Sequence, residues 1–111
     1  MKEGSSSPWG KVQHAKELAP GAWTVETAGH GGVKLNAARN RLIPAEARQP
    51  GGWYEEDCKW AIAAFVFKDV RDAILSGIRS TYPGLYDGTT YLETTIKRWE
   101  SDDVTSALGI A

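Results

Sequence analysis

A chain of 111 residues has room for one domain of ordinary size and too little for two. With 41% hydrophobic and 24% charged residues, its composition is that of a globular protein with a packed core rather than of a disordered chain. The net charge of −1 argues against a general nucleic-acid binder, so direct nucleic-acid binding is not expected.

The charge is divided unevenly along the chain. Residues 1–52 carry seven Lys/Arg and four Asp/Glu, a balance of +3, whereas residues 53–111 carry six and ten, a balance of −4. Such a division fits either a dipolar molecule with one acidic face or the ordinary solvation of helices.

The single cysteine, Cys58, excludes an internal disulfide, and no spacing of Cys or His is typical of a zinc site. We therefore expect no metal and no cofactor. The polar start of the chain does not resemble a secretory leader, and no segment approaches the ~18–20 apolar residues of a membrane span. These features predict a cytoplasmic protein without a membrane partner.

The N-terminal third predicts a small antiparallel sheet. Residues 1–8 are typical of a flexible leader, and residues 9–18 form a weak strand pattern that ends at a Pro-Gly turn. Residues 23–27 alternate cleanly, and a glycine-rich segment separates them from a short strand at 33–35.

Helices are predicted from Asn36 onward, where this residue caps a short helix over 37–42. The strongest helix begins near Trp53, with acids in its first turn and an apolar run at 60–67 as the buried centre of the domain. Its spacing predicts that Cys58 lies on the buried helix face as a small hydrophobe. The side chains expected to be mostly buried are Trp60, Ile62 and Phe65.

Two more helices follow, one capped by Asp69 and one opened by a capping-box pattern from Thr90 to Glu93. Residues 104–111 are interpreted as a C-terminal tail. The fold class is therefore α+β, a short antiparallel N-terminal sheet of about three strands packed against three to four C-terminal helices. Residues 9–103 form the single domain.

The glycine-rich segment around His30 is the first candidate site. Glycines beside a histidine allow a ligand or partner to approach closely, although a tight turn with an exposed histidine explains the same pattern. Because a catalytic base must be held in place, we expect His30 to be exposed and to act through binding.

The acidic block of Glu55, Glu56 and Asp57 is the second candidate site, since carboxylates can supply a general base or metal oxygens. Adjacent residues on a helix point in different directions, so helix-start electrostatics explains the block equally well. The corner that contains Tyr82 and Tyr86 is a third candidate, which can either present aromatic side chains to a partner or pack between helices. No residue is predicted to be catalytic.

With these residues in view, the chain resembles an uncharacterised family of domains encoded by phages, plasmids and integrated elements of proteobacteria. The resemblance lies in WGKVQH at residues 9–14, GAWTV at 21–25, HGGVKL at 30–35 and GWYEEDCKW at 52–60, with a looser match at 82–86. It carries no activity, but it implies a setting in which small proteins often bind and block host defence complexes.

The sequence thus favours a non-enzymatic binding protein that contacts a host protein or protein complex, such as an inhibitor of a CRISPR or restriction system. One alternative is a small hydrolase or transferase that uses His30 with a carboxylate of the acidic block. Another is a structural or dimerisation module, since a homodimer is possible through the tail or the helices of residues 70–99.

Overall fold

The computed structural model describes residues 1–81 and 89–110 of the chain. Within these residues, a two-stranded hairpin precedes a four-stranded antiparallel sheet with the strand order β3-β4-β5-β6. The strands are β1 (Ser6–Ser7), β2 (Gly10–Lys11), β3 (His14–Ala19), β4 (Ala22–Glu26), β5 (Gly31–Leu35) and β6 (Trp53–Glu55).

The helices follow the first five strands in the chain and confirm the predicted α+β class. Their bounds are α1 (Ala37–Leu42), α2 (Trp60–Val66), α3 (Lys68–Thr81), α4 (Thr90–Trp99) and α5 (Asp102–Ala107). None of the helices in the described segments is long and apolar enough to cross a membrane.

The main core lies between one face of the sheet and the helices. Strand residues alternate in direction, so Val33 and Leu35 of β5 point to the same side and are both buried. Tyr54 joins them from β6, and the helices contribute fully buried side chains such as Ile62 and Ile96. We call the helix-covered side of the sheet the inner face and the opposite side the outer face.

Helix α1 agrees with its prediction at both ends. The Asn36 side chain accepts a hydrogen bond from the backbone N–H of Arg39 at 2.9 Å, which satisfies an otherwise unpaired donor of the first turn. The guanidinium of Arg39 then donates two hydrogen bonds to the carboxylate of Asp69, at 3.0 and 2.6 Å, and one to the Pro20 carbonyl at 2.8 Å. Arg39 thereby ties α1 to α3 and to the turn between β3 and β4.

The predicted helix start at Trp53 is wrong, because residues 53–55 form β6 instead. Gly51 and Gly52 both have positive φ, which bends the chain through a short 3-10 turn and lays the next residues beside β5. Helix α2 begins only at Trp60, and its first turn contains no acid. The acidic block therefore has no role at a helix start, and a fourth strand joins the predicted three.

The burial prediction for α2 agrees with the structure, since all three side chains are mostly buried, although to different degrees. Ile62 is fully buried as expected, together with the three alanines of the helix, whereas Trp60 and Phe65 remain half-buried. Trp60 stands at the helix start, beside the exposed turn that precedes it. Residues 61–64 are all buried, and Trp60 and Phe65 pack against the core, so α2 is covered on most sides, as its apolar run predicts.

The later helices begin earlier than their predicted caps imply, α3 by two residues and α4 by one. Asp69 lies in the first turn of α3, and the residue that precedes α4 is Thr89, whose hydroxyl donates to the Glu93 carboxylate at 3.1 Å. The segment predicted as a tail includes most of α5, and both Val104 and Ile110 contribute to the core. Their burial explains why the chain stays helical there.

Candidate binding face

The outer face of the sheet carries a row of large polar and aromatic side chains. In the strand register, Glu17 of β3 pairs with Trp23 of β4, Trp23 with Lys34 of β5, and Lys34 with Trp53 of β6. Residues that pair directly in an antiparallel sheet extend to the same face. This row therefore crosses all four strands, and its two tryptophans are half-buried.

A tryptophan from the N-terminal hairpin completes the face. The ring of Trp9 meets that of Trp53 edge to face, with centroids 5.5 Å apart and planes inclined by 82°. The Lys34 Nζ lies 4.5 Å from the centroid of the Trp53 ring and also donates a hydrogen bond to the Gly51 carbonyl. We refer to Trp9, Trp23, Lys34 and Trp53 as the aromatic patch.

The patch depends on a glycine of β5. A Cβ at Gly32 would lie 2.2 Å from the carbonyl oxygen of Tyr54 and 2.8 Å from the outer edge of the Trp9 ring. Gly32 therefore allows close contact between β5 and β6 and leaves room for Trp9. The strand predicted at 33–35 starts two residues earlier, because β5 begins at Gly31.

His30 stands in a tight turn rather than in a freely moving loop. Its carbonyl accepts hydrogen bonds from the backbone N–H of Thr27 at 2.8 Å and from the Thr27 hydroxyl at 2.9 Å. The hydroxyl oxygen in turn accepts from the His30 N–H at 3.2 Å. These bonds fix the backbone at His30, while the imidazole remains 56% exposed, as the sequence predicts.

The structure brings His30 and Glu55 together. The imidazole Nδ1 lies 3.2 Å from the Glu55 Oε1, and the Glu55 side chain is 37% exposed. Glu55 pairs with Gly32 in the strand register, so this His–Glu pair lies on the outer face beside the aromatic patch. The two side chains form an ion pair only when the imidazole is protonated, and both are in contact with solvent.

The other predicted site residues do not join this pair. Glu56 lines a cleft of about 310 Å³ on the inner face, and Asp57 is exposed in the following turn. Tyr82 and Tyr86 lie outside the described residues. Across the described segments, no group of three or more His, Cys, Asp or Glu side chains is placed to hold a metal ion.

Cys58 is half-buried in the turn before α2, so its predicted place on a helix face is wrong. Burial raises the pKa of the Cys58 thiol, and the nearby carboxylate of Glu100 raises it further. Glu100 is itself 4% exposed in its side chain and pairs with Lys59 at 2.5 Å. This environment favours the neutral thiol over the nucleophilic thiolate.

Sequence reasoning missed the aromatic patch because its members come from four separate segments. The alternation of Trp23 with buried neighbours does indicate one face of a strand, and Lys34 between Val33 and Leu35 indicates an outward side chain. Only the strand register shows that the two residues are neighbours.

The fold and the site define a small α+β domain with an aromatic surface on the face of its sheet opposite the helices. The chain belongs to the family described as Domain of unknown function (DUF7007), whose model matches residues 2–110. No curated protein and no solved structure matches the chain.

Proposed function

We propose that this protein is a non-enzymatic binding protein that contacts a partner protein through its outer face. The observation that carries the proposal is the aromatic patch, in which Lys34 lies against Trp53 and beside Trp23 in the sheet, and Trp9 packs on Trp53. Tryptophan is enriched among the residues that dominate binding energy at interfaces. A sheet already holds these side chains in place, so little conformational entropy is lost on binding.

The resemblance to proteins of phages and other mobile elements supports a narrower proposal for the partner. In that setting, the partner is a component of a host defence complex, such as a CRISPR or restriction effector. The charged residues around the patch, Glu17, Glu55 and Lys34, would then select among partner surfaces by electrostatic complementarity.

Affinity capture with matched variants tests the binding role. The unchanged protein should retain a specific partner from a host lysate, and Trp53→Ala should weaken the measured affinity by at least tenfold. Trp99→Ala is the control, because Trp99 is 64% exposed on α4 rather than on the sheet. Equal losses in the two variants, with both still folded, would exclude the aromatic patch as the interface.

A transformation assay tests the narrower proposal. In a host with an active CRISPR or restriction system, expression of the protein should raise the yield of a targeted plasmid. Trp53→Ala should abolish this gain, and Trp99→Ala should keep it. No gain against either class of system would contradict the proposed role in host defence.

An enzymatic role is a second candidate because His30 and Glu55 lie 3.2 Å apart. A carboxylate can orient an imidazole for acid–base chemistry, as in many hydrolases. Against this role, both groups are in contact with solvent. The cleft that Glu56 lines is on the inner face, away from this pair. Turnover of ester or phosphoester substrates that disappears in His30→Asn and Glu55→Gln would favour the enzyme; we expect no turnover above background.

A further inference from the structure

Two carboxylates lie on either side of Gly31 on the inner face of the sheet. Glu26 ends β4 and pairs with Gly31 in the register, while the Glu56 N–H donates to the Gly31 carbonyl at 2.9 Å from the opposite side. A Cβ at Gly31 would lie 2.7 Å from the Val25 carbonyl oxygen, 3.2 Å from the Glu56 Oε2 and 3.6 Å from the Glu26 Cα. The glycine therefore allows close backbone packing and brings the two acidic residues near each other.

Both acidic residues line the inner-face cleft of about 310 Å³, whose walls are mainly apolar. The sheet contributes Val33 and the helices contribute Trp60 and Ile74, while Thr24 adds a hydroxyl. Trp60 and Ile74 are half-buried, so their remaining apolar surface faces a space rather than a packed neighbour. The volume is at the lower end of the range for small ligand sites.

Neither Glu26 nor Glu56 belongs to an ion pair within the described residues. The basic residues nearest in the strand register are His14 and Lys16. His14 pairs with Glu26 across the strands but has its Nδ1 3.9 Å from Glu3, and Lys16 pairs with Thr24. The cleft therefore combines an indole ring, aliphatic walls and two carboxylates that form no salt bridge with a described side chain.

We infer that this cleft receives an arginine or lysine side chain from the partner protein. The apolar walls suit the aliphatic stem, the Trp60 ring attracts a cation through its electron-rich face, and the two carboxylates accept hydrogen bonds from the charged head. The cleft is open to solvent, which suits a side chain that enters from a backbone outside better than a ligand that must be enclosed. The inference rests on the proposed function in that the partner is a protein, but it uses the other face of the sheet.

Nuclear magnetic resonance titration of the whole protein with acetyl-Gly-Arg-Gly-amide tests the site. We expect saturable shifts of the Gly31 and Val33 amides and of the Trp60 indole, at least tenfold weaker binding of the otherwise identical citrulline peptide, and at least threefold weaker binding of n-butylguanidinium. No saturable shift, equal binding of the citrulline peptide, or equal binding of the small cation would each overturn the inference.

Matched variants locate the binding. Glu26→Gln and Glu56→Gln should each weaken binding of the arginine peptide at least threefold. The double variant should weaken it at least tenfold. Glu46→Gln removes the same charge from an exposed turn and should change nothing. Equal effects of the three single substitutions would show nonspecific electrostatics and overturn the site.

The outcome is independent of the aromatic patch. Trp53→Ala should bind the arginine peptide as the unchanged protein does, even if partner capture shows that the outer face is no interface. Conversely, loss of peptide binding in the Glu26 and Glu56 variants, with capture through Trp53 intact, is the pattern expected if both sites act. Capture through Trp53 together with no peptide binding would overturn the cleft and leave the proposed function standing.

Discussion

The phenol of Tyr54 donates a hydrogen bond to the Asn40 Oδ1 at 2.6 Å, and it accepts one from the Gln49 N–H at 3.3 Å. Tyr54 is fully buried, so these contacts connect β6 to α1 and to the loop between them beneath the surface. The same strand carries Trp53 and Glu55 outward. The core contacts of Tyr54 therefore fix the position of the outer-face residues beside it.

Tyr54→Phe should lower the free energy of unfolding by about 1–3 kcal/mol, because it leaves the Asn40 oxygen and the Gln49 N–H without this partner. Urea denaturation followed by circular dichroism measures the change. A loss below about 0.5 kcal/mol would mean that solvent replaces the phenol without cost.

Alkaline pH should destabilise the protein through Tyr54. Burial raises the pKa of Tyr54 above its ordinary value of 10.0, so the unfolded chain loses this proton first. The contribution of Tyr54 to the free energy of unfolding is therefore fully present below pH 10 and declines as the pH rises beyond it. The decline should be smaller in Tyr54→Phe, with Cys58→Ser as the control for the thiol, whose pKa is also raised from 9.0. Identical slopes in the unchanged protein and Tyr54→Phe would contradict this assignment.

Gly32→Ala should cost about 1–3 kcal/mol or more, since its Cβ would lie 2.2 Å from a backbone oxygen that can move only with β6. Gly29→Ala is the matched control, because no atom lies within 4 Å of its Cβ position and its φ is not positive. It should be neutral or slightly stabilising. Thermal unfolding of both variants measures the difference. Equal midpoints would show that β5 and β6 are not in close contact at Gly32.

Ile62→Ala should cost about 2–5 kcal/mol, as expected for a fully buried aliphatic side chain. Phe65→Ala should cost less than the ~3–5 kcal/mol typical of a fully buried phenylalanine, because Phe65 packs against the core but stays partly exposed. Chemical denaturation of the pair measures both losses. A loss of ~3–5 kcal/mol for Phe65→Ala would contradict the role of its partial exposure.

Cys58 should react slowly with a thiol reagent at pH 7, because the raised pKa keeps the thiol protonated. The labelling rate should still be rising above pH 9, whereas the urea-unfolded protein should follow the curve of an ordinary cysteine. Fast labelling at neutral pH in the native protein would indicate a thiolate and reopen a chemical role for this residue.

The features that the sequence predicts well depend on local signals. Asn36 is a strong helix cap followed by residues that favour a helix, and α1 has the predicted bounds. Residues 23–27 alternate, and the strand is found there within one residue at each end. In both places, the local preference and the tertiary packing agree.

The failures arise where distant residues decide. Nothing local distinguishes residues 53–55 from a helix start, because pairing with β5 and the bend at Gly51 and Gly52 make them a strand. The proximity of His30 to Glu55 and the meeting of Trp9 with Trp53 follow from the same pairing. The sequence therefore indicated individual residues of the candidate site, but it could not show which of them lie together in the fold.

The N-terminal hairpin rests on a hydrophobic layer of its own. Val12 and Val25 are almost fully buried, yet both lie outside the main core cluster. Opening of this hairpin would uncover that small layer and leave the helix-side core intact, so it requires less free energy than global unfolding. The amide of Val12, which bonds to Ser5, should then exchange its hydrogen sooner than amides at the centre of the sheet. A partner bound to Trp9 would suppress this local opening. Binding would then slow amide hydrogen exchange in the N-terminal hairpin.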